Sequence, residues 1–144
     1  MLAYSMAISF TSQNIKFNLK NKTALKKWIA LIIQKEKKEL GEINYVFMSD
    51  EDLIKTNIEF LDHHTYTDII TFDYCEGELI NSDIFISVDR VKENAKTFNT
   101  TFENELHRVM IHGVLHLCGY KDKTKKDAEL MRKKENTSLS KRPF

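Results

Sequence analysis

Ile111-His112-Gly113-Val114-Leu115-His116-Leu117-Cys118-Gly119-Tyr120-Lys121-Asp122 holds two histidines four positions apart, and the residues around them read as helix. Upstream, Leu106, Val109 and Met110 continue with Leu117 as an apolar stripe at helical spacing, which faces a core. Thr100-x-x-Glu103 has the form of a capping box opening that helix, which the pattern carries to about Cys118. Gly119 then suits the left-handed position that ends a helix and lets the chain turn back. Histidines at i and i+4 project from one helix face, so His112 and His116 can share one metal ion. Asp122 lies six residues past His116, far enough beyond the turn to deliver a third ligand, with Asp127 or a distant residue as the alternative.

The register is that of H-E-x-x-H-x-x-G-x-x-H, the extended zinc motif of metzincin proteases, with two changes. Gly113 stands where the protease has its general-base glutamate, and Asp122 where it has a third histidine. Two histidines and a carboxylate are a recognised catalytic zinc set, and three protein ligands leave a fourth position for water, proposed as the nucleophile. No side chain is assigned as a catalytic base. His107, five residues before His112, points roughly 140° away on the helix wheel and reads as structural. His63 and His64 read as loop residues, and Cys118 as a small core residue.

The rest of the chain bounds what can carry such a site. At 144 residues, with 42% hydrophobic and 30% charged residues, it reads as one globular domain over 1–144. One proline and four glycines exclude long linkers and low-complexity structure. No apolar run reaches the roughly 20 residues needed to span a bilayer. The apolar start lacks a basic region ahead of it, unlike a signal peptide. Cys75 and Cys118 form no CxxC and suit a reduced, cytoplasmic chain. The net charge of +1 is unevenly spread: residues 1–41 carry eight lysines against two acids, and 119–144 nine basic against four acidic groups. Residues 42–118 carry five basic against fifteen acidic groups. Basic ends around an acidic centre suggest a polyanionic partner.

Alternating apolar residues predict strands over 4–10 and 14–19 (Ile15, Phe17, Leu19), and β-rich runs predict others at 43–48, 67–74 and 83–88. Asn21 or Thr23 begins a helix carrying Leu25, Trp28, Ile29, Ile32 and Ile33 on one face, stopped at Gly41. A short helix opens at Ser49-Asp50-Glu51-Asp52, a polar loop covers 60–66, Asp89 caps a helix through Phe98, and Thr124-x-x-Asp127 starts the last. The sum is an α+β fold, a small twisted mixed sheet packed with helices, one of them a zincin-like metal-binding helix.

At its histidine motif the sequence resembles the YbeY family, bacterial endoribonucleases that act in 16S rRNA maturation and ribosome quality control. The family signature H-G-x-L-H-L-x-G-Y-D-H is matched by His112-Gly-Val-Leu-His-Leu-Cys-Gly-Tyr120, Gly113 included. Asn57, Thr67-Asp-Ile-Ile-Thr-Phe72, Ser82-Asp-Ile-Phe-Ile-Ser87, Glu105-Leu-His-Arg-Val-Met-Ile111, and Met131 with Glu135 extend the resemblance over about residues 45–137. The closing D-H of the signature is Lys121-Asp122 here, so the third ligand carries over as a carboxylate, which makes a bound water less acidic. A family arginine thought to assist catalysis falls on Leu61.

The resemblance implies a single-strand-specific endoribonuclease with one zinc ion on His112, His116 and Asp122. Its implied partners are ribosomal RNA, the small ribosomal subunit and a ribosome-associated GTPase. Three rivals share parts of the pattern. A metallopeptidase is disfavoured by Gly113, a two-His-one-carboxylate iron oxygenase by the helix-then-glycine spacing, and a ribosome-assembly module with structural zinc would need a fourth protein ligand.

Overall fold

The parallel pairing of β1 (Ile8–Ser12) with β2 (Glu39–Met48) requires a crossover, and α1 (Lys22–Lys35) supplies it. In the computed structural model, which describes residues 7–61 and 67–144, the chain continues through α2 (Asp50–Leu61), β3 (Ile69–Asp73) and β4 (Leu79–Ser87). It ends with α3 (Val88–Thr97), α4 (Phe102–Leu117) and α5 (Lys125–Ser140). Among the described residues the strands form one mixed sheet in the order β1-β2-β4-β3, with β2 and β4 parallel and β3 antiparallel to β4 at the edge. This is the expected α+β architecture.

Side chains alternate across each strand, so the two sheet faces carry different cores. Ile43, Tyr45 and Phe47 of β2 and Ile80, Ile84 and Ile86 of β4 join the main core with α1, α4 and α5. Met48 and Ile70 pack with Leu53 of α2 in a smaller cluster, with Val46, Phe72 and Phe85 beside it. The five residues expected to line one face of α1 are the five it buries. Buried Trp28 donates its indole N–H to the Ser138 carbonyl at 2.8 Å, which fixes α5 against α1. Tyr45 donates to the Met110 carbonyl at 3.0 Å and so fixes α4 on the sheet. None of the described helices is long and apolar enough to cross a membrane.

Several boundaries differ from the sequence reading. Residues 14–19 form no strand: the Gln13 N–H makes the last bond to β2, and Asn14 then turns left-handed at φ 58°. Ile15, Phe17 and Leu19 still lie over the core, so the alternation marks an irregular segment with one apolar side. Helix α1 ends at Lys35 and Lys37 turns at φ 60°, while Gly41 falls inside β2 at its register shift. Ser87, not Asp89, caps α3 by accepting from the Arg90 N–H, and Asp89 accepts instead from the Asp50 N–H opening α2. Thr101 rather than Thr100 caps α4. Phe60 and Leu61 complete α2 rather than begin a loop, and residues 62–66, with His63 and His64, lie outside the described residues.

His107 is a packing residue, as its position on the helix wheel implies. It is 5% exposed, lies between the rings of Trp28 and Phe144, and accepts from Arg142 Nη1 at 2.9 Å through Nδ1. Burial, aided by the Arg142 charge, pushes its pKa down from 6.5 to about 4. The unfolded chain therefore binds one more proton than the folded one between these values, and stability falls as pH drops from 6.5 towards 4. The wild type should lose about 2–3 kcal/mol more than His107→Gln across that window. Urea titrations at both ends of the window would check this, and parallel acid limbs would remove His107 as the cause.

Candidate metal centre

The end of α4 explains how residues six apart come together. Cys118 closes the helix and Gly119 follows at φ 108°, a conformation that a side chain would strain. The Gly119 N–H bonds the His116 carbonyl at 3.0 Å and the Tyr120 N–H the Leu115 carbonyl at 3.1 Å, the paired bonds of a Schellman turn. Reversed in this way, the chain brings Asp122 back over the helix face. The Tyr120 hydroxyl anchors the turn by donating to Glu36 Oε1 at 2.7 Å.

Both histidines are held by their inner nitrogens. His116 Nδ1 lies 2.9 Å from the Tyr120 carbonyl and His112 Nδ1 2.7 Å from Glu135 Oε2. Neither oxygen can donate, so each Nδ1 carries the proton and each Nε2 presents a lone pair. The two Nε2 atoms each lie 3.3 Å from Asp122 Oδ2, and the rings stand at 87° with centroids 4.5 Å apart. One ligand atom from each of the three residues lies within 4.8 Å of the others. Ligands about 2.0–2.1 Å from a tetrahedral centre are themselves about 3.3 Å apart, the separation of each Nε2 from Asp122 Oδ2, so the chemistry and spacing of these donors suit a small divalent ion. Converging lone pairs repel unless a cation or a proton lies between them. Accordingly, although burial works against a charged His112, the Glu135 hydrogen bond and the charges of Glu135, Asp122 and Asp68 raise its pKa above 6.5.

Glu135 was legible in the sequence only as part of the terminal helix. It is buried on the face of α5 that also carries Met131 and Leu139, and that is the signal: an acid on an apolar stripe requires partners. Those partners are His112, Arg108 Nη1 at 3.1 Å and Arg132 Nη1 at 3.6 Å. Burial raises its pKa, but the bonds from His112 and Arg108 outweigh this and keep it ionised. Glu135→Gln keeps the shape and removes the charge, and should weaken metal binding at this candidate site by about 10–100-fold. Competition against a fluorescent zinc chelator would measure it, and an unchanged affinity would show that Glu135 does not tune His112.

Two hollows meet at His112 and Asp122. The larger, about 730 Å³, runs along the β3 edge past Thr67, Asp68 and His116 to Asn57 and Leu61 at the end of α2. Leu61, where the resemblance would place an arginine, is 42% exposed on its rim, and Lys123 lines the same hollow. The smaller, about 270 Å³, lies between α3, α4 and α5. Asp127, the alternative third ligand, instead lines a separate hollow with Glu36, Cys118 and Tyr120. Gly113, in the position of the protease glutamate, faces the sheet: a Cβ there would lie 2.9 Å from Ile69 Cδ1.

Known proteins of similar sequence and fold identify the family. The family model described as Endoribonuclease YbeY matches residues 7–142. The Endoribonuclease YbeY of Flavobacterium johnsoniae is 54% identical over 125 residues, covering 87% of this chain and 90% of its own. That of Cytophaga hutchinsonii is 51% identical over 138 residues, covering 95% and 96%. The solution structure of TM1509 from Thermotoga maritima superposes with a TM-score of 0.63 at 29% identity, covering 92% of this chain and 87% of that one. The chain belongs to the YbeY family of endoribonucleases.

Proposed function

We propose that residues 1–144 act as one catalytic domain, a zinc-dependent, single-strand-specific endoribonuclease. Its tasks are 16S rRNA 3′-end maturation and ribosome quality control in the cytoplasm, with the small ribosomal subunit and a ribosome-associated GTPase as partners. The observation that carries the reading is the convergence of His112 Nε2, His116 Nε2 and Asp122 Oδ2, oriented from behind, on the wall of an open hollow. His112, His116 and Asp122 would hold the ion, which supplies an acidified water and a Lewis acid for a phosphoryl oxygen. Glu135 and the Tyr120 carbonyl keep both imidazoles in the tautomer that ligation needs. Three protein donors leave room for substrate, which favours this reading over a structural zinc module closed by four.

RNA would be held through phosphate contacts at the open side, where Lys123 takes the place that Leu61 cannot fill. Lys134 is less suited to that task than its place in the basic C-terminal segment suggests. It pairs with Glu36 at 3.4 Å and covers the Tyr120 ring, so it braces the turn.

The test is cleavage of ribosomal RNA resolved on gels, with metal content measured by mass spectrometry. One zinc per chain is expected, with cleavage lost on chelation and restored by zinc. RNA affinity should fall with salt at a slope of roughly −0.7 per phosphate contacted. Zinc-loaded protein that neither binds RNA in this way nor cuts it, alone or with ribosomes, would refute the proposal.

A further inference from the structure

Phe98 follows α3 as its C-cap residue and is 55% exposed. The Arg132 guanidinium faces that ring at 5.8 Å from its centroid. The pair lines the smaller hollow together with Arg108, Asn94 and Asp68, and His112 and Asp122 line the same hollow. Stacked groups touch at about 3.5–4.0 Å, so widening the Phe98–Arg132 gap by roughly 1–2 Å would admit a planar ring in contact on both faces. Arg132 is half-exposed and also reaches Glu135, so it has room and an alternative partner for that movement.

We propose that this hollow holds one unstacked base of a single-stranded RNA between Phe98 and Arg132, with the adjoining phosphodiester placed at His112 and Asp122. The proposal rests on the nuclease reading above and adds how the strand is gripped. Volume and charge both favour a base over a phosphate. About 270 Å³ is just below the ~300–1,000 Å³ of sites for drug-sized ligands and suits a single base. Carboxylates outnumber guanidiniums in the walls, which repels an anion but suits the amino groups of adenine, guanine or cytosine. Asp68 accepts from Asn94 Nδ2 at 3.1 Å, so the two present an acceptor and an amide edge together, against which uracil offers fewer donors. Aromatic and arginine faces are the usual means of gripping splayed bases in single strands.

The experiment uses a short, uncleavable 2′-O-methyl RNA carrying 2-aminopurine at one position, moved along the strand in successive oligonucleotides. A fluorescence change confined to one register is expected, and no register dependence would overturn the proposal. Phe98→Ala should weaken binding by about 5- to 100-fold with zinc content unchanged, while Phe98→Trp keeps it. Wild-type affinity in Phe98→Ala would overturn the stacking role. Uracil at that register should bind more weakly than the amino-bearing bases, and equal affinity would overturn the role of Asp68 and Asn94. If wild-type protein cuts ribosomal RNA but Phe98→Ala binds and cuts equally well, this inference fails alone. If the wild type neither binds nor cuts RNA, the nuclease reading fails with it.

Discussion

His116→Ala is expected to leave a folded protein that retains RNA but holds almost no zinc and cuts nothing. The side chain is partly exposed and its only bonds described are to the Tyr120 carbonyl and Asp122, so its loss exposes two acceptors to water and opens no large cavity. Two remaining donors cannot close a zinc site, and the loss in affinity should exceed the ~10–100-fold caused by removing an outer partner. His112→Ala should abolish metal binding too, but it strips buried Glu135 of a partner and leaves that charge to Arg108 and Arg132 alone. His116→Ala is therefore the cleaner variant. Mass spectrometry of the metal, filter binding across a salt series and cleavage of ribosomal RNA would be measured on one preparation. Stoichiometric zinc in His116→Ala would remove this residue from the metal site. Loss of RNA binding in step with zinc would mean that the ion, rather than the lysines, holds the strand.

The candidate metal ligands were legible as a cluster because a helix and its stop impose short-range geometry. His112 and His116 share a face through helical periodicity alone, and a glycine three residues on prescribes the reversal that returns Asp122. The buried face of α1 and the strands β3 and β4 were legible for the same local reason. What could not be read depends on contacts distant in sequence. Glu135 reaches His112 across 23 positions, and Phe98 meets Arg132 only because α3 and α5 both pack near α4. Periodicity also misled at 14–19, where one apolar side is needed but β2 offers no further backbone partner once Asn14 turns. Caps slipped by one or two residues at Thr101 and Ser87, since adjacent Ser, Thr and Asp side chains compete for the same N–H groups.

Gly113→Glu is expected to destabilise the fold severely rather than create a peptidase. Read as a motif, the substitution restores the protease glutamate beside two candidate metal-ligating histidines. Read in three dimensions, it directs a carboxylate into the sheet. A Cβ at 113 would lie 2.9 Å from Ile69 Cδ1, 3.3 Å from Thr71 Oγ1 and 3.4 Å from Ile84 Cδ1, where α4 rests on β3 and β4. Gly113→Ala asks that the far end of Ile69 move and that Thr71 Oγ1 give by a few tenths of an ångström, a cost of about 1–3 kcal/mol partly offset by the ~1 kcal/mol helix preference for alanine. Glutamate adds two methylenes and an unpaired charge in the same place, a loss of more than about 4 kcal/mol against a total stability of about 5–15 kcal/mol. At roughly 3–5 °C per kcal/mol for a chain of this size, the midpoint should fall by more than about 12 °C, against a few degrees for alanine. Thermal melts of the zinc-loaded variants would decide it. A Gly113→Glu protein that melts with the wild type would mean that α4 can lift from β3, and with that freedom the steric exclusion of a protease base would no longer hold.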